Sequence, residues 1–152
     1  MKKYFTLLFI IFFGCKPIEP VEFVEIKNVK IDNLKNNELK ISADIILDNP
    51  NKVKITISRI DIGIIADDIM LVKINDNTSR ELSDMSKSTI NIKGDIDVKN
   101  LEKFLNQRGL AILLGNQNIS LKFFGKIEVR AYGLKDLIEI DYSINNFKDL
   151  VK

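Results

Sequence analysis

The stretch Leu39-Lys40-Ile41-Ser42-Ala43-Asp44-Ile45-Ile46-Leu47-Asp48-Asn49-Pro50-Asn51 decides the fold. From Leu39 to Leu47 the odd positions are apolar, and Lys40, Ser42 and Asp44 between them are polar; only Ile46 breaks the alternation. Successive side chains on a strand point to opposite faces, so this period of two sends one face to a core and one to water. Pro50 then removes an N–H from any ladder and holds Asn49 in the extended region. The stretch predicts a half-buried strand ending at a corner. The amides of Asn49 and Asn51 either serve that turn or display a polar binding surface.

The same period runs on either side. Val53, Ile55 and Ile57 alternate with Lys54, Thr56 and Ser58, after which Ile60, Ile62 and Ile64 carry the apolar set on even numbers. An inward face that moves by one residue requires a bulge or bend, placed here at Ser58-Arg59. Ile69, Leu71 and Ile74 suggest a short strand before the polar loop Asn75–Asp84. Ile90, Ile92, Ile96 and Val98 form the next, Ile119–Ala131 another, and Leu137 or Ile138 through Ile144 the last. With Phe23–Ile31 as the first, about seven strands are predicted.

One helix interrupts the series. Leu101, Phe104 and Leu105 fall at i, i+3, i+4, behind Asp97 or Asn100 as N-cap. It ends at Gly109, or continues through Leu110–Leu114 to Gly115-Asn116. The fold class is therefore mostly β, with one helix between two late strands.

Composition removes whole chemistries. Among 152 residues there is no His and one Cys. No Ser-His or Cys-His nucleophile pair can exist, nor an internal disulfide. No Gly-x-Ser-x-Gly elbow or phosphate loop occurs, and no cofactor motif either. Asp67-Asp68 reads as a solvated turn, since neighbours at a strand end point apart. Asn75, Asn77, Ser79 and Glu81 alternate as oxygen donors but lack the glycine and acidic first ligands of a calcium loop. No metal is expected, and no enzyme.

The N-terminus carries the address. Lys2-Lys3 precede an apolar run from Tyr4 to Phe13, then Gly14-Cys15. Ten residues are about half of the ~20 that a spanning helix needs, and they suit a secretory signal core. A cysteine after a small residue at the end of that run resembles the lipobox of bacterial lipoproteins, with Phe12 and Phe13 where the family usually has Leu and a smaller residue. The resemblance implies removal of residues 1–14 and acylation of Cys15. Residues 15–20 are then a tether of at most about 20 Å, and 21–152 the domain. With Lys16 in place of Asp after the cysteine, the same resemblance implies the outer membrane, with the domain expected to face the periplasm. Loss of Lys2 and Lys3 leaves 21 basic against 21 acidic side chains, scattered rather than clustered, so nucleic acid is not expected.

The order of elements around Asn49-Pro50-Asn51 resembles the LEA type 2 domain, also called the water-stress and hypersensitive-response (WHy) domain. The likeness covers roughly residues 21–144, including the long strand Val53–Ile65, the passage from Ser86–Val98 into a helix, and Gly125 in Ile119–Ala131. It implies a small fibronectin- or immunoglobulin-like antiparallel β-sandwich without catalytic residues, associated with desiccation and stress protection. The expected partners are the membrane, through the lipid, and a protein or lipid. The alternative is a carrier with an apolar cavity. Gly94 and Gly125 are expected inward on neighbouring strands, with Phe104 and Leu105 of the helix filling the space above them. Left unfilled, that space becomes a slot lined by Gly94, Gly125, Phe104 and Phe123.

Overall fold

Two antiparallel sheets face each other across a core made largely of isoleucine. The computed structural model describes residues 17–33, 38–114 and 119–145; Cys15 and Gly115-Asn116 lie outside them. The strands are β1 (Glu22–Asn33), β2 (Leu39–Asn49), β3 (Ile55–Ala66), β4 (Ile69–Asp76), β5 (Arg80–Leu82), β6 (Ser86–Asp95), β7 (Leu121–Ala131) and β8 (Leu134–Ile144). The helix α1 (Val98–Leu113) joins β6 to β7. One sheet has the order β1-β2-β6; the other runs β4-β3-β7-β8, with β5 beside the start of β3.

The two-residue period explains the core. Ile41, Ala43, Ile45 and Leu47 of β2 are buried, as are Ile55, Ile57, Ile60, Ile62 and Ile64 of β3 and Phe123, Ile127 and Val129 of β7. β-Branched side chains suit such a pleated, packed surface, and burying each contributes about 1.5–3 kcal/mol.

The predicted phase slip is a bulge. Ile57 pairs with Val129 but Arg59 pairs with Glu128, which leaves Ser58 as the extra residue. Both Ile57 and Ile60 point into the core as a result. Ser58 also gains a partner across the ladder, its Oγ donating to Glu128 Oε1 at 2.6 Å. That bond, the Arg130 guanidinium at 2.8 Å and the nearby Lys135 ammonium hold the Glu128 carboxyl at about 2, against an ordinary 4.5. A depressed carboxyl stabilises the fold above its ordinary value and loses that contribution as pH falls toward its folded value. In a carboxyl-resolved NMR titration, Ser58→Ala should therefore move the Glu128 midpoint up toward 4.5. An unmoved midpoint would remove the bulge from the cause.

Four expectations need correction. Among the described residues there are eight strands where about seven were expected: β5 lies inside the predicted loop, and three residues with only Leu82 buried are too short to show a period. The last strand begins at Leu134, earlier than predicted, because exposed Leu134 and Leu137 give an edge strand no alternation. Val98 is not in a strand. Asp97 turns the chain out of the sheet, its side chain accepting the Asn100 N–H at 3.0 Å, and Val98 starts the helix in solvent. The helix then passes through Gly109 and ends at Leu113.

The fourth correction concerns the glycines. Gly94 and Gly125 do pair with inward residues, Ile41 and Ile62, but they belong to opposite sheets. A Cβ on Gly94 would collide with Val72 Cγ1 and lie 2.7 Å from Ile74 Cγ1, so β4 fills that space. At Gly125, with φ +144°, a Cβ would collide with the Asp61 carbonyl oxygen of β3. Neither neighbour is the helix. Phe104 is buried elsewhere and Leu105 is exposed.

Candidate functional site

Two buried carboxamides form a buckle at the end of the sandwich where the described chain begins. β2 stops at Asn49 because Pro50 offers no N–H to continue the ladder. The Asn49 side chain, 0% exposed, turns inward. Its Nδ2 donates to the Val53 carbonyl at 2.9 Å and the Ser83 carbonyl at 3.0 Å. Its Oδ1 accepts the Asn51 backbone N–H and the Asn51 Nδ2, both at 3.0 Å.

Asn51 extends the network to the tether. Its Oδ1 accepts the Glu19 N–H and its Nδ2 donates to the Glu19 carbonyl, each at 2.8 Å. Its backbone carbonyl accepts the Met85 N–H at 2.9 Å. Three remote segments thus meet at one corner: residue 19, residues 49–53, and the β5–β6 turn. A buried amide is stabilising only when its donors and acceptors are engaged, and these are. With both side chains buried and turned to backbone partners, they present no polar surface. Side-chain bonds spanning 32 and 34 residues have no local signal, so sequence reasoning found the turn and missed the clamp.

The remaining candidates are structural parts. Asp67 is no solvated turn residue. Its Oδ2 accepts from Arg108 Nε at 2.7 Å and its Oδ1 from the Ser120 N–H at 3.0 Å, which latches α1 to the start of β7. Asp68 is exposed beside it, so the two carboxylates do not form an acid–base pair. Glu81 of the supposed calcium loop bonds Lys54 at 3.1 Å, and Asp76 is paired with Arg80. The Thr78 hydrogen bonds hold the Asp76 carboxyl below its ordinary value, as those from Asn91 and Asn28 do for Asp44. Among the described residues no three His, Cys, Asp or Glu stand together as metal ligands. Gly94 borders an open groove of about 680 Å3 whose other walls include Lys73, Asn75, Asp76 and Arg80, a polar setting rather than an apolar slot. Phe123 is enclosed in the core.

No protein-family model and no curated protein matches the sequence. Solved structures do match in fold. A crystal structure of a protein from Archaeoglobus fulgidus is 12% identical, with a TM-score of 0.61 over 81% of this chain and 94% of that one. A solution structure of AT1g01470 from Arabidopsis thaliana is 12% identical, with a TM-score of 0.58 over 88% of this chain and 87% of the other. At such identity the likeness is one of fold alone.

Proposed function

We propose that this chain is a lipid-anchored, non-enzymatic protein of the bacterial cell envelope, whose LEA type 2 sandwich binds or protects at a membrane surface. The clamp on Glu19 carries the reading. Glu19, four residues after Cys15, has both backbone groups bonded to a buried amide, which fixes that point of the tether to the domain. Acylation at Cys15 then holds the corner of Asn49, Pro50 and Asn51 close to lipid. The two solved structures compared above share this fold, and a small sandwich with one helix is what the LEA type 2 assignment requires. The lack of His and the prior engagement of Asp67, Asp76, Glu81 and Glu128 support a non-enzymatic role. Lys16 after the cysteine favours the outer membrane, facing the periplasm. Carriage of a lipid inside the sandwich has less support, because β4 and β3 fill the space at the two glycines.

Metabolic labelling with a clickable fatty acid tests the anchor. The wild-type chain should take up label and Cys15→Ser should take up none. Equal labelling of both, or of neither, would contradict the proposal. Lipids and proteins recovered with the labelled chain from its own envelope would identify the partner.

A further inference from the structure

Two bulky side chains stand where both the backbone and the solvent disfavour them. Among the described residues, five that are not glycine have positive φ. Asn28, Asp67 and Asp68 are of the types that tolerate the left-handed region. The other two are Met85, at 46°, and Tyr132, at 49°. Tyr132 and Gly133 form the two-residue turn between β7 and β8, where Asn-Gly is the favoured pair. Met85 and Tyr132 are nevertheless 62% and 80% exposed. Folding gains nothing from an apolar side chain held in an unfavourable conformation and left in water, so stability does not explain either residue.

Both lie at the buckled end. The Met85 N–H is bonded to the Asn51 carbonyl, which seats its turn against the corner that clamps Glu19. Leu134, just past the hairpin tip and 69% exposed, shares a cleft of about 190 Å3 with Ile18 and Glu19. We infer that this end is a lipid-docking face, with Ile18, Met85, Tyr132 and Leu134 entering the interfacial layer of the membrane that holds Cys15.

The inference rests on the anchor proposed above, and the position of the anchor selects the occupant. Three residue steps from Cys15 to Ile18 reach at most about 10 Å, so the acyl chains cannot be far from these side chains. The clamp on Glu19 limits how far the domain can tip away. Tyrosine favours the membrane–water boundary, where its ring is apolar and its hydroxyl stays wet. Lys54, Arg130 and Lys135 at this end are paired with Glu81 or Glu128, while Lys52 and Lys87 are exposed there. On an uncharged phosphatidylcholine surface those two find no anionic lipid, so docking there is apolar and insensitive to salt.

The chain has no Trp, so a single introduced one reports its own surroundings. The lipidated chain beginning at Cys15, as Tyr132→Trp, Met85→Trp and Leu113→Trp, would be placed in phosphatidylcholine vesicles with brominated acyl chains. Leu113 is exposed on α1, which is latched to the opposite end of the sandwich through Arg108 and Asp67. Indole emission from Tyr132→Trp and Met85→Trp should shift to the blue and be largely quenched, in low and high salt alike. The indole of Leu113→Trp should emit as in water. A chain that floats with the vesicles while the first two variants also emit as in water would overturn the docking and leave the anchor standing. Quenching in Leu113→Trp alone would overturn it too. So would a concentration-dependent blue shift in Tyr132→Trp without vesicles, which marks a second copy as the occupant. A chain without acyl adduct that fails to float would overturn anchor and docking together.

Discussion

Gly125→Ala should cost the fold about 4 kcal/mol, from a backbone conformation strained by ~1–3 kcal/mol and overpacking of ~1–3 kcal/mol. The added methyl would collide with the Asp61 carbonyl oxygen and come within 2.9 Å of Ile62 Cα. Those are backbone atoms of the central strand β3, which is paired on both sides and cannot yield. Gly133→Ala is the matched control. It also has positive φ, at +80°, but nothing lies within 4 Å of the new atom, so its cost should be only about 1 kcal/mol. Urea unfolding measures both. Equal losses would mean that the close approach of β3 to β7 at Gly125 is not what fixes the residue.

Asn49→Ala should destabilise the chain by about 3 kcal/mol, because it strands one buried and two partly buried groups at ~1–3 kcal/mol each. The Val53 and Ser83 carbonyls lose their donor, and the Asn51 N–H loses its acceptor. Asn49→Asp is the sharper variant. It preserves size and can still accept from Asn51, yet it cannot donate to either carbonyl and sets a negative charge against both. Unfolding by urea should find Asn49→Asp at least as damaging as Asn49→Ala. A loss below about 1 kcal/mol for both would reduce the corner to an ordinary exposed turn.

The sheets were legible because β-structure writes its inward face into the sequence every second residue. The bulge at Ser58 was legible for the same reason, since moving that face from Ile57 to Ile60 allows no regular strand. β5 was hidden by its length, for three residues cannot display a period. Val98 misled because Ile96 and Val98 continue the even-numbered alternation, while the Asp97 cap that ends the strand is a single side chain. The inward positions of Gly94 and Gly125 could be read along their strands. Which element fills the space above them depends on how the two sheets face each other, and no local pattern encodes that. The links from Asn51 to Glu19 and from Arg108 to Asp67 join segments 32 and 41 residues apart, and both emerge only with the fold. The left-handed Met85 and Tyr132 are likewise invisible until the turns that hold them are built.

The clamp gives the anchor its structural meaning, and the anchor is a covalent claim that one intact mass can decide. Protein purified in detergent from the membranes of the cells that naturally make it should begin at Cys15, with residues 1–14 gone, and carry a diacylglyceryl thioether on the Cys15 sulfur. A mass equal to the unmodified 17.4 kDa chain would contradict the account.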